Sequence, residues 1–113
     1  MSSCIFCSII AKKIPAKLVR EEKDWVAFHD INPQAPTHIL IIPKKHIDKI
    51  DDLSQADLPI AGVLIGAAKE IAREQKIQNG YRLVFNNGAE AGQSVFHVHL
   101  HLLGGRPMSW PPG

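Results

Sequence analysis

The sequence predicts an α+β fold, on the strength of three stretches. Thr37-His-Ile-Leu-Ile-Ile42 is β-branched and apolar and is stopped by Pro43, the pattern of a buried strand. From about Asp57 to Glu74, apolar residues recur at helical spacing. Gln93-Ser-Val-Phe-His97-Val-His99-Leu-His101 alternates imidazole with apolar side chains, the period of a strand. A chain of 113 residues makes a single domain, 1–113, with one modest core.

The elements follow in order. Cys4 to Ala11 reads as a short helix with Ile5, Phe6, Ile9 and Ile10 on its apolar side, ended by Pro15. Leu18-Val19 and Trp25 to His29 read as a hairpin across the charged turn Glu21-Glu-Lys-Asp24. Asp30 to Pro36 is a loop held by two prolines, and the strand from Thr37 follows. In the long helix Asp57 is placed to act as N-cap, and Pro59 is tolerated in the first turn. Ala61, Leu64, Ile65, Ala68, Ile71 and Ala72 form its expected core face, with Ile60, Val63 and Ala67 off that stripe. Gly62 and Gly66, four apart, weaken the helix and call for a packing reason. A fully buried helix satisfies the pattern. So does one with two covered faces, and the second face of so small a domain points to a dimer. Tyr81 to Phe85, the loop Asn86 to Gly92 and the histidine strand complete an expected antiparallel meander.

Composition narrows the classes. Hydrophobic residues make up 45% and charged residues 21%, with a net charge of +2. No basic patch with interleaved aromatics suggests duplex nucleic acid. The start lacks a signal-peptide pattern, and no apolar run approaches the ~20 residues of a membrane span. A cytoplasmic protein without a structural disulfide is expected.

On a strand, His97, His99 and His101 would share one face while Val98, Leu100 and Leu102 enter the core. Two chemistries fit such a row. His-x-His is a zinc-ligand pattern; imidazole is also a nucleophile toward phosphorus. In the second, Gly88 and Gly92 let the preceding loop aim N–H groups at a phosphate, and Gln93 and Ser94 add side-chain donors. The middle histidine would attack, His101 would stabilise the phosphoryl oxygens, and Ser94 would protonate a departing amine or alkoxide. Histidines held only by structural hydrogen bonds are a third possibility. Cys4-x-x-Cys7 has the spacing of half a tetrahedral zinc site, and His46 and His97 are the natural completing ligands. A redox pair and two small buried residues are the other readings of that pair. Asp30 could bind a ribose diol or serve as an ordinary turn residue, and the turn is the better reading from its position alone. His38, at the start of a strand, reads as structural, and Lys44 and Lys45 as a solvated edge.

His97-Val-His-Leu-His-Leu-Leu103 resembles the motif of the histidine triad (HIT) family, His-φ-His-φ-His-φ-φ with φ apolar. Phe28 to His38, Ile42-Pro-Lys-Lys-His46, Gly92-Gln-Ser and the ending Trp110-Pro-Pro-Gly113 are similar to its Hint branch, which contains purine nucleoside phosphoramidases. The resemblance implies a five-stranded antiparallel sheet with one long and one short helix, two sheets joining into ten strands in a homodimer. It implies that His99 is the nucleophile, that His101 and His38 support it and the phosphate, and that Ser94 assists the leaving group. Gln93, Gly92 and Asn86 would contact phosphate and ribose, and Asp30 the ribose hydroxyls. Ile5, Phe6, Ile9, Phe28 and Leu40 would wall a purine pocket, with Trp110 near the partner's leaving group. The substrates implied are AMP or GMP derivatives, adenosine phosphoramidates above all, with no catalytic metal. Cys4, Cys7, His46 and His97 match a structural zinc site found in some bacterial members, which suggests a bacterial source.

Overall fold

The computed structural model describes residues 4–113. Its elements are α1 (Ile5–Ile10), β1 (Leu18–Glu21), β2 (Trp25–His29), β3 (Thr37–Pro43), α2 (Leu58–Glu74), β4 (Tyr81–Phe85) and β5 (Leu100–Gly104), with short 3-10 turns at Ile50–Asp52 and Ala89–Ala91. The five strands form one antiparallel sheet in the order β1-β2-β3-β5-β4. The first three strands are the expected meander. The last two are not: β4 lies at the edge and β5 inserts between it and β3. The α2 crossover carries the chain past one strand position, and β5 returns to fill it.

The sheet has two covered faces, and strand period assigns each residue to one of them. Ile39 and Ile41 of β3 and Leu100 and Leu102 of β5 face α2, packing with Leu64, Ala68 and Ile71. Leu40 and Ile42 of β3 face α1 instead, packing with Phe6, Val26 and Phe28. His99 meets Phe6 on this second side with ring centroids 5.1 Å apart, and His99 and His101 stand 4.9 Å apart. The imidazoles thus line one face, as the alternation predicts. The strand itself is shorter than expected. It begins at Leu100, so His97 and His99 precede the ladder, where Val98 N–H donates to the carbonyl of Ile47 at 2.7 Å.

Helix α2 begins where expected, but Asp57 does not cap it through its side chain. The carboxylate bonds Lys45 at 2.8 Å instead. The buried face is Leu64, Ala67, Ala68, Ile71 and Ala72. Ile65, expected inside, is 40% exposed, and Ala67, expected off the stripe, is buried. At 100° per residue, Ile65 lies a quarter-turn away from Leu64. Leu58 and Val63 are also exposed, and a Cβ added at Gly62 or Gly66 would meet nothing within 4 Å. An apolar face of α2 therefore points outward from this chain. No helix among the described residues is long and apolar enough to cross a membrane.

Candidate active site and metal centre

Between α1, the segment that follows it and the α1-facing side of the sheet lies a cavity of about 320 Å³. Ile5, Phe6 and Ile9 of α1 and Phe28 and Leu40 of the sheet form apolar walls; Asp30, Ser94, His99 and His101 supply the polar groups. Ile14, Pro15, Ala16, His29, Ile31 and Val95 also line it. Sequence reasoning passed over these six. Pro15 reads as a helix terminator, and nothing local shows that the turn after α1 folds back over the sheet.

Hydrogen bonds fix the protonation pattern of the imidazoles. The backbone N–H of Gln34 donates to His38 Nδ1 at 3.0 Å, so the proton of a neutral His38 sits on Nε2. That nitrogen is 2.9 Å from His101 Nδ1, which must accept, leaving His101 with N–H at Nε2. His99 Nδ1 is 2.7 Å from the carbonyl of His97 and must donate to it, so its Nε2 keeps a lone pair. Burial lowers the pKa of His38, against the raising effect of the Asp30 carboxylate. It also lowers that of His99, opposed by the bond to His97. His101 is pushed down to about 4, by burial first and then by His99 and His38. All three rings are neutral at pH 7, so one presents a bare nitrogen and another an N–H. Asp30, His38 and His101 also gather closely enough to hold a cation, but these bonds already occupy both ring nitrogens of His38.

Asp30 combines both of its readings. Oδ1 accepts from the Asn32 N–H at 2.8 Å, an ordinary turn, while Oδ2 lies 3.4 Å from His38 Nε2 and the residue lines the cavity. Gln93 is different. Its Oε1 accepts from Gly88 N–H at 2.7 Å, and its Nε2 donates to the carbonyls of Asp48 and Val95 at 2.7 and 3.1 Å. The amide is spent on backbone and shapes the loop rather than facing a phosphate. Nor is the preceding loop an open anion nest, because the N–H groups of Ala91, Gly92 and Gln93 bond to Gly88 and Ala89 within it. Gly88 and Gly92 do adopt positive φ, 91° and 92°, as the turn requires. Asn86, Gly92 and Trp110 are outside the cavity lining, and Trp110 is 82% exposed in a tail where Arg82 donates to the Ser109 carbonyl.

The second constellation comes together as its spacing suggests. Cys4, Cys7, His46 and His97 place one ligand atom each within 4.8 Å of one another. His97 Nδ1 lies 3.5 Å from Cys4 Sγ, 3.6 Å from Cys7 Sγ and 3.1 Å from His46 Nδ1, and Cys7 Sγ is 3.3 Å from His46 Nδ1. Zinc bonds of about 2.3 Å to sulfur and 2.0–2.1 Å to nitrogen in a tetrahedron give S···N edges of roughly 3.5 Å and N···N edges of roughly 3.4 Å. The donor set and its spacing therefore fit zinc. The outer nitrogens are also anchored: His97 Nε2–H donates to the Pro43 carbonyl at 2.8 Å, and His46 Nε2 pairs with Asp48 Oδ1 at 2.7 Å. Asp48 and Pro43 had no signal in the sequence. A carbonyl has no residue identity, and Asp48 reads as one of many surface acids.

An α+β domain with a walled cavity, a row of neutral imidazoles and an adjoining cysteine–histidine cluster is the architecture of a small histidine-based hydrolase. The chain belongs to the HIT domain family, whose model matches residues 11–108. It is 50% identical to a 14 kDa zinc-binding protein of Zea mays, over 99% of this chain and 89% of that one. A HIT family hydrolase of Legionella pneumophila superposes with a TM-score of 0.96 at 52% identity, covering 98% of this chain and all of the other. A histidine triad nucleotide-binding protein of Candida albicans superposes at 0.81 with 34% identity, covering 96% and 83%. Relatives thus come from a plant and a fungus as well as a bacterium, and the similarity assigns no source.

Proposed function

We propose that this protein is a purine nucleoside phosphoramidase that works through a covalent nucleotidyl-His99. The observation that carries the reading is the tautomer of His99. Its Nδ1 is held by the His97 carbonyl at 2.7 Å, which leaves a neutral ring with an Nε2 lone pair in a walled cavity. The apolar side, Ile5, Phe6, Ile9, Phe28 and Leu40, suits a purine, and the Asp30 carboxylate, which lines the same cavity, suits a ribose diol.

In the first step His99 Nε2 bonds to phosphorus and the P–N bond breaks. The amine leaves with a proton delivered through the Ser94 hydroxyl, which regains one from solvent. In the second, water attacks phosphorus, a proton passes to solvent, and His99 departs as neutral imidazole with release of the nucleoside monophosphate. Dividing the displacement lowers each barrier. His101, with N–H at Nε2, donates to the phosphoryl oxygens as charge builds on them. Zinc at the cysteine–histidine cluster has a structural role in this scheme and supplies no step. The outward apolar face of α2 supports a homodimer, which would bring the partner's tail and Trp110 toward the cavity.

The covalent intermediate is the test. Rapid quench of the protein with adenosine 5′-phosphoramidate into alkaline denaturant, followed by peptide mass spectrometry without acid treatment, should show AMP on the peptide containing His99. Turnover without any adduct on that peptide would refute the double displacement.

A further inference from the structure

We infer that the Cys4/Cys7/His46/His97 cluster positions the nucleophile, so that metal occupancy controls His99 while the rest of the fold stays intact. The inference rests on His99 being the reacting group. The segment before β5 has no ladder bonds to hold it, because the strand starts only at Leu100. Residue His97 takes the place of the ladder. Its ring is one of the four clustered ligands, and its main-chain carbonyl is the acceptor that fixes His99 Nδ1 at 2.7 Å.

That carbonyl belongs to the His97–Val98 peptide. The N–H of the same peptide donates to the Ile47 carbonyl at 2.7 Å. Ile47 in turn follows His46, another of the clustered ligands. One end of the peptide that orients His99 thus belongs to a cluster residue, and the other is bonded to the chain neighbour of a second; the ring nitrogens of those two, His97 and His46, approach to 3.1 Å. A third tie runs through Phe6, which lies between Cys4 and Cys7 in sequence. Its ring meets that of His97 edge-on at 6.0 Å and that of His99 at 5.1 Å. Helix α1 has only six residues, too short to persist without its attachments. The thiol of Cys4 also accepts the Cys7 N–H at its N-cap, at 3.4 Å. Loss of the ion would loosen the ring of His97 and, with it, Phe6, and so the direction and tautomer of His99, while Ile47 and Val98 stay packed in the α2-facing core. The α2-facing core contains none of the four ligands and would keep the sheet folded.

The experiment compares zinc-loaded and chelated protein, both labelled with ¹⁵N-histidine, at a temperature where circular dichroism shows both folded. In the loaded protein His99 should show a protonated Nδ1 and a bare Nε2. After chelation its two nitrogens should move toward an averaged, mixed-tautomer signal. The rate of AMP transfer to His99 from adenosine 5′-phosphoramidate should drop roughly tenfold to a hundredfold, the usual cost of losing such outer support. Should chelation unfold the chain, His46→Ala, whose three remaining ligands hold zinc more weakly, is titrated with zinc, and the same two readouts should follow its occupancy. An unchanged His99 tautomer with an unchanged rate overturns the inference. Absence of any transfer in the loaded wild type would instead mark failure of the phosphoramidase reading, and the nitrogen signals would still decide the positioning.

Discussion

Protonation of His101 should cost this fold stability in a defined acid window. The group is held down to about 4 from an ordinary 6.5, by burial and by two neighbouring imidazoles. In the unfolded chain it takes up a proton near pH 6.5, while in the native state it does so only near pH 4. The unfolded state therefore binds more protons between those values. Stability is complete above about pH 6.5, falls as pH drops through the window, and shows no further loss from this group below it. A difference of two and a half units corresponds to about 3 kcal/mol. Replacing the ring with an amide keeps an acceptor for His38 and removes the titration. The assay is thermal unfolding of wild type and His101→Gln from pH 8 to pH 4. Protonation of the metal ligands affects both proteins alike and cancels in the comparison. The wild type should lose on the order of 10 °C more than the variant across the window. Parallel curves would refute the argument that buried, mutually repelling imidazoles hold His101 neutral.

Three other outcomes are expected. Phe6→Ala should cost about 3–5 kcal/mol, read from urea unfolding, because a ring only 5% exposed is removed from between Phe28 and His99; its KM for nucleotide should rise as well. Ser94→Ala should slow hydrolysis of alkylamine phosphoramidates far more than that of aryl ones, whose leaving groups need less help, and equal losses would remove Ser94 from proton delivery. Val63→Asp with Ile65→Asp places charge on the outward apolar face of α2 and should convert a dimer to a monomer in sedimentation analysis.

Much of this architecture was readable because it depends on period. The alternation in β3 sorts Ile39 and Ile41 from Leu40 and Ile42, and the same rule puts His99 and His101 on the α1 side with Phe6. The cysteine pair and its two histidines were legible because four soft donors have few other uses together. What escaped depends on tertiary placement. The insertion of β5 between β3 and β4 follows from how α2 crosses the sheet, which no local pattern encodes. Gln93 reads as a donor to phosphate, yet a buried amide must satisfy its nearest backbone groups first, and at 3% exposure it does so. Ile65 and Ala67 exchanged faces because a stripe of apolar residues all round a helix leaves its phase open. The role of Asp30 as turn residue and cavity group at once reflects two carboxylate oxygens with separate neighbours.

The most direct test of the account is hydrolysis of adenosine 5′-phosphoramidate by zinc-loaded wild type and by His99→Ala, with dimer content and melting temperature measured alongside. Release of AMP by the wild type, with a loss of at least a thousandfold in a folded His99→Ala, is the predicted result. A folded His99→Ala that retains wild-type turnover would contradict the nucleophile. Tight AMP binding without turnover in the wild type would contradict the enzyme and leave a nucleotide-binding module.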